Sequence, residues 1–239
     1  MKLRYYLSPN FLEKESIIKE IKIFLKKNKS FIKRKKILDV GCGSKPYAHL
    51  FREYECTYEG IDFKGYSLNP SFELEEPDYF FSKEYASNFK INNLKEKSFD
   101  IIVSFQVLEH HANPENFFKE SKRLLKKGGL IIITFPFIWP LHEEPYDYQR
   151  LTHYKIKRIA DSLKLKILYI RKRGGFFSVI DQLLNNAIME CRLPPIIKKF
   201  LYLIIFLPLQ YLVVVIEKLT PYNKNKKTFL GYFIALKKY

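Results

Sequence analysis

Cysteine is scarce in this 239-residue chain: Cys42, Cys56 and Cys191 stand far apart and form no Cys-x-x-Cys pair. An odd, isolated set supports neither a disulfide framework nor a structural zinc site, and it fits a reducing compartment. A secretory leader is not expected either, because Met1 to Ser16 carries several charges and no continuous apolar core. These two absences predict a cytoplasmic protein. Acidic residues are also short: 25 Asp and Glu face 42 Lys and Arg, a formal net charge of +17. That imbalance admits an anionic partner, whether nucleic acid, an anionic membrane face or an acidic substrate. The lysines are spread along the chain, as on solvated faces, and no basic-aromatic module or RNA-binding appendage accompanies them. Nucleic acid is therefore not the expected partner.

With 47% hydrophobic residues, the chain can bury one sizeable α/β core and leave a few dozen residues for an appendage. The core is organised around Lys36-Ile37-Leu38-Asp39-Val40-Gly41-Cys42-Gly43-Ser44, a short apolar run ending at a carboxylate and two glycines. Such a run reads as a buried parallel strand, and the glycines let the backbone turn tightly beside a ligand. The third glycine of a dinucleotide fingerprint is absent, since Lys45-Pro46-Tyr47 stands in its place. Pyrophosphate is thus disfavoured. About twenty residues on, Tyr58-Glu59-Gly60-Ile61-Asp62 ends a second strand in an acid, at the spacing that reaches ribose hydroxyls. Strand, glycine turn and acid together point to adenosine.

The run Ile37 to Gly43 resembles motif I of the class I S-adenosylmethionine-dependent methyltransferases. Phe99 to His110 resembles their fourth strand and its loop, and Leu124 to Thr134 their glycine turn and fifth strand. The closest likeness is to the small-molecule branch often called type 11, among the enzymes of bacterial surface-polysaccharide functions. The resemblance implies an α/β fold: a Rossmann-like seven-stranded sheet, mostly parallel with an antiparallel last strand, sandwiched by helices. It implies S-adenosyl-L-methionine as cofactor, with contacts at Asp39, Gly41, Cys42, Gly43, Asp62, Asn88 and Gln106. Asn88 stands where the family usually has an acid, and its amide oxygen can accept the same hydrogen bond from adenine. The O-methyltransferases of quinone biosynthesis resemble the chain at Leu108-Glu109-His110, which raises a divalent ion. Against one, adjacent His110 and His111 point apart on a helix, and no Asp or Glu cluster at i, i+4 spacing completes a cage. No metal is expected.

After the fifth strand, Pro136 to Thr152 gathers His142, Glu143, Glu144, Asp147 and Arg150 in one irregular loop. It resembles the His-x-x-Pro-x-Asp-aromatic-x-Arg-aromatic-Thr signature of the polysaccharide-associated branch, with Leu151 replacing the second aromatic. His142, His110, Asp147 and Arg150 are the candidate catalytic residues. His142 is the proton acceptor of choice because its unperturbed pKa lies near neutrality, whereas Asp147 and Arg150 suit pairing to brace the loop better than chemistry.

Four segments are expected. An N-terminal helical segment, 1–30, contains an amphipathic helix from Phe11 to Lys27 that either lids the cofactor or packs on the sheet edge. The cofactor-binding core spans 31–175; within it, Phe63 to Ser82 reads as loop, and a helix from Pro114 to Lys127 stops at Gly128-Gly129. An apolar helical insertion, 176–225, includes the uncharged run Phe200 to Ile216, near the lower length limit for a membrane span. The final strand, 226–239, resembles the family's seventh strand, which returns to the same sheet, and on that resemblance the insertion cannot make a single pass. It is expected to lie in a membrane interface with a kink at Pro208, or to pack against the domain or a second subunit. Its flanking lysines suit an anionic membrane. The expected activity is methyl transfer to an oxygen of a small-molecule, glycan or lipid-linked acceptor, at the inner membrane face. RNA methylation and a membrane-surface module without turnover are the alternatives.

Overall fold

The structure, a computed structural model, describes residues 7–64, 75–81, 91, 94–220 and 224–239. Strand β1 (Lys36–Val40) is followed by β2 (Thr57–Asp62), the two-residue β3 (Tyr79–Phe80), β4 (Phe99–Phe105), β5 (Leu125–Pro136), β6 (Leu165–Arg173) and β7 (Gly231–Lys238). They form one sheet in the order β3-β2-β1-β4-β5-β7-β6. All pairings are parallel except those of β7, which lies antiparallel between β5 and β6. The strand order reverses between β1 and β4, the switch point where open α/β sheets take ligands at their carboxyl edge.

Both faces of the sheet are covered, which is why its strands read as apolar runs. Successive residues point to opposite faces. Leu38 and Ile102 join Phe117 of helix α4 (Pro114–Leu124) and Ile156 of α5 (His153–Ser162) in one core. Ile37 and Ile101 face the other way, onto Ile17, Ile21 and Phe24 of α1 (Phe11–Lys27). Two short helices, α2 (Lys29–Ile32) and α3 (Ala48–Arg52), complete that side. Helix α1 thus packs on the sheet face, while Phe11 and Leu12 at its start reach Val179 and Val213 of the insertion.

Two local expectations are corrected. Helix α4 ends at Leu124, because Leu125 already pairs with Phe99 as the first residue of β5. The register then shifts, and Gly128 at φ +77° and Gly129 lie within the strand instead of capping the helix. The loop reading of 63–82 omitted β3, whose two residues carry no period to detect.

The insertion comprises α6 (Phe176–Glu190), α7 (Pro195–Leu201), a π-helical turn (Tyr202–Phe206) and α8 (Leu207–Leu219). Pro208 cannot donate a backbone hydrogen bond, and the preceding Leu207 N–H reaches back five residues to Tyr202 O. Arg173 at the end of β6 pairs with Gly231 at the start of β7, so the insertion leaves and rejoins the sheet at one edge. Among the described residues, Pro195–Leu219 is the one helix long and apolar enough to cross a membrane; its most apolar window has mean hydropathy 2.2 and is only 22% buried.

Candidate active site

The glycine turn is held open by backbone bonds. Gly41 N and Cys42 N both donate to Ile61 O, at 2.9 and 3.2 Å, tying the end of β1 to the end of β2. Gly41 sits at φ +74°, and a Cβ there would fall 2.5 Å from a methyl of Val107, so only glycine fits. Gly43, at φ +49°, has nothing among the described residues within 4 Å on the side where a Cβ would project, which leaves that flank of the loop free for a ligand.

Two carboxylates border this turn. Asp62 Oδ2 accepts from Gly43 N at 2.6 Å and Oδ1 from Phe63 N at 2.7 Å. Burial raises the Asp62 pKa against these two donors, and the charge of Glu143 raises it further. Asp39 Oδ2 accepts from Tyr58 Oη at 2.6 Å, and burial pushes the group up to about 7. Its other oxygen is buried without a hydrogen-bond partner among the described residues. A free flank at Gly43, an acid beside it and an orphaned acceptor behind it fit a nucleoside-bearing cofactor with hydroxyl and amine donors. Cys42 is buried in the turn. Asn88 lies outside the described residues.

Gln106 occupies the end of β4 at φ +58°. With its amide oriented to satisfy both ends, Oε1 accepts from Thr134 Oγ1 at 2.9 Å and Arg173 Nη2 at 3.0 Å, while Nε2 donates to Glu13 at 3.3 Å. Arg173 is fully buried and pairs with Glu13 at 2.9 Å. The side chain of Gln106 therefore joins a brace linking α1 to the site, and its backbone borders the crevice. Lys45, passed over in the sequence as a mere break in the glycine pattern, is buried and pairs with Asp78 at 2.7 Å.

Beyond Val107 a 3₁₀ turn, Leu108–His110, carries the second half of the site. Glu109 is 1% exposed, and neither carboxylate oxygen has a hydrogen-bond partner among the described residues. His142 Nε2 and His110 Nε2 lie 3.8 and 4.0 Å from Glu109 Oε1. Their other ring nitrogens are oriented from behind: His142 Nδ1 lies 3.1 Å from Asp147 Oδ2, and His110 Nδ1 lies 3.1 Å from Tyr146 O. Arg150 grips both oxygens of Asp147 and donates to Pro140 O at 3.0 Å and Trp139 O at 3.3 Å, closing the loop on itself. The loop is fastened to the turn by Tyr148 N donating to Glu109 O at 3.0 Å.

These contacts set the charges. Burial opposes protonation of His142, but Glu109 and Asp147 outweigh it and the pKa is raised. The Arg150 hydrogen bond holds Asp147 below the usual carboxylate range. His111 points away from the cluster to Phe117, and burial lowers its pKa to about 4. The four candidate catalytic residues therefore converge in one line of contacts, Arg150 to Asp147 to His142, with Glu109 between His142 and His110. The donor atoms of Glu109, His110 and His142 lie within 4.8 Å of one another, a set that can hold a divalent cation. Sequence spacing showed no such cage because its third donor arrives from a different loop.

Residues 11–184 match the family model described as a methyltransferase domain. The chain is similar to a ubiquinone biosynthesis O-methyltransferase of Pelagibacter ubique, with 30% identity over 121 residues, 50% of this chain and 49% of the relative. The matched stretch thus spans about half the length of that curated relative. Among solved structures, coclaurine N-methyltransferase bound to N-methylheliamine and SAH superposes with a TM-score of 0.52 at 12% identity, covering 92% of this chain and 72% of that one. The cyclase SpnF superposes with a TM-score of 0.54 at 16% identity, covering 92% of this chain and 80% of that one. Likeness at that identity carries the fold and not the reaction.

Proposed function

The chain belongs to the methyltransferase-domain family, whose methyl donor is S-adenosylmethionine, and from that premise we propose that it methylates an oxygen of a small amphipathic acceptor. The observation that carries the reading is the alignment Asp147, His142, Glu109 beside the glycine-turn crevice. The sulfonium methyl is already electrophilic, so the protein has to hold acceptor and methyl in near-attack geometry and remove one proton. A hydroxyl needs a base, and His142 Nε2 supplies it while Asp147 fixes the ring at Nδ1. Relatives named for O-methylation in ubiquinone biosynthesis support an oxygen acceptor. The loop signature supports a glycan or lipid-linked acceptor of the surface-polysaccharide type.

The apolar insertion favours a peripheral position at the cytoplasmic membrane face. It rises from the carboxyl edge that carries the site, and Phe200, Ile204 and Leu212 stay more than half exposed. An apolar face on this scale belongs against lipid or a second subunit, and the flanking Lys198, Lys199, Lys218 and Lys224 favour anionic lipid. A homodimer is the competing cover.

A second mechanism has its own observation, the orphaned Glu109 carboxylate. Glu109, His110 and His142 would hold a divalent ion, which when bound supplies Lewis-acid activation of the acceptor oxygen. His142 is then a ligand, and Asp147 and Tyr146 O keep the ring orientations they have here. The acceptor reading is tested by mass spectrometry of envelope lipids and glycans from cells with and without the protein. One species should lose a methyl ether without it; unchanged ethers, with a methyl missing from RNA or an amine, would refute it.

A further inference from the structure

A cleft of about 640 Å³ separates the outer face of α1 from the base of the insertion, away from the glycine turn. Its apolar lining includes Leu12, Phe176, Phe177 and Val214. Phe176 and Phe177 are also half exposed, so the cleft runs into the apolar outer face of α6. Six cationic side chains, Lys19, Lys22, Arg171, Lys172, Lys218 and Lys226, line it against Glu15, Glu20 and Glu217.

The charges divide by what they already hold. Arg171 is committed to Glu20 at 3.3 Å, and Lys172 and Lys226 donate to the carbonyls of Lys226 and Gly174. Glu217 is consumed at the start of α6, accepting from Gly175 N at 2.6 Å and Ser178 Oγ at 2.5 Å. Lys19, Lys22 and Lys218 remain exposed with no hydrogen-bond or ion-pair partner among the described residues, two on α1 and one at the end of α8. They line the cleft together with the apolar Leu12, Phe176, Phe177 and Val214. Such a cleft matches an anion on an apolar stem.

We propose that this cleft seats the phosphate headgroup of an anionic phospholipid, with Lys19, Lys22 and Lys218 around the phosphate and the acyl chains along Phe176, Phe177 and the outer face of α6. The proposal deepens the peripheral-membrane reading and rests on it. Where apolar burial alone would leave the protein indifferent to lipid class, the cleft gives it a preference for anionic bilayers. It also fixes which edge of the sheet meets the membrane.

Vesicle flotation with the full chain tests this, comparing phosphatidylcholine vesicles with vesicles containing phosphatidylglycerol. The triple variant Lys19→Glu, Lys22→Glu, Lys218→Glu should lose phosphatidylglycerol-dependent binding by about tenfold or more while still binding S-adenosylmethionine. The control Lys95→Glu, Lys97→Glu, Lys127→Glu makes the same charge change at the opposite edge of the sheet and should bind vesicles as the parent does. Equal losses in both variants would reduce the effect to net charge and overturn the cleft. So would release of the parent by millimolar inorganic phosphate at constant ionic strength, which would mark a free-phosphate site. Strong flotation untouched by the triple variant would overturn the cleft and leave the membrane reading standing. Absence of flotation would end both.

Discussion

Asp147 Oδ2 lies 3.1 Å from His142 Nδ1, and this contact turns the opposite ring nitrogen toward the buried carboxylate of Glu109. Asp147 is held in turn by both Arg150 donors, so the loop's ion pair braces and orients at once. Both residues therefore brace the loop, and if His142 is the base they act on the reaction only through the ring they position.

If His142 is the base, His142→Ala should lower turnover about a hundredfold or more with cofactor affinity unchanged. Neutral imidazole is the active form and its pKa is raised from 6.5, so the rate should climb with pH through a midpoint above that value. Asp147→Asn removes one of the charges that raise it, and the midpoint should move to lower pH. A pH–rate profile of both variants checks this; normal turnover in His142→Ala would leave the ring a bracing role only.

Cofactor binding should depend on Asp62 and Gly41 for different reasons. Asp62→Ala removes a charged acceptor beside the turn and should weaken S-adenosylmethionine by about 1.5–3 kcal/mol in titration calorimetry. Gly41→Ala places a Cβ against Val107 at positive φ, so it should lose binding together with thermal stability. Unchanged affinity in Asp62→Ala would show that the acid does not contact the cofactor.

The metal reading makes a prediction independent of activity. Calorimetric titration of chelator-treated protein with Zn²⁺ should show one site that disappears in Glu109→Gln and in His110→Ala, because imidazole and carboxylate suit that ion. Protein that takes up no divalent ion would leave His142 as the base.

His111 should give the fold an acid limb. Its folded-state pKa, about 4, lies below the ordinary 6.5, so between those values the unfolded chain holds a proton that the folded one does not. Stability should therefore fall as pH drops from 6.5 to 4, by about 3 kcal/mol in all. Urea unfolding across that range should show the decline in the parent and a flatter curve in His111→Leu.

Much of the sheet was legible because each signal is local. Ile37 to Gly43 shows a buried strand and its turn within seven residues, and Phe229 to Lys238 reads as an apolar run whose resemblance to the family's seventh strand implied the antiparallel pairings it makes. What escaped depends on partners. Leu125 is apolar enough to extend α4, and only its pairing with Phe99 makes it strand. The role of Glu109 is invisible until the loop after β5 brings His142 across to it, since no spacing along the chain relates them. The Arg173–Glu13–Gln106 brace likewise joins three elements that are contiguous only in the fold.

The central claim is methyl transfer from S-adenosylmethionine to an oxygen, and its most direct test is the fate of a labelled methyl group. Purified protein incubated with methyl-labelled S-adenosylmethionine and a cell-envelope extract should move label into an organic-extractable, alkali-stable product, with loss of transfer in Asp62→Ala and His142→Ala. Label that stays on the cofactor, or that moves equally well in both variants, would contradict the account.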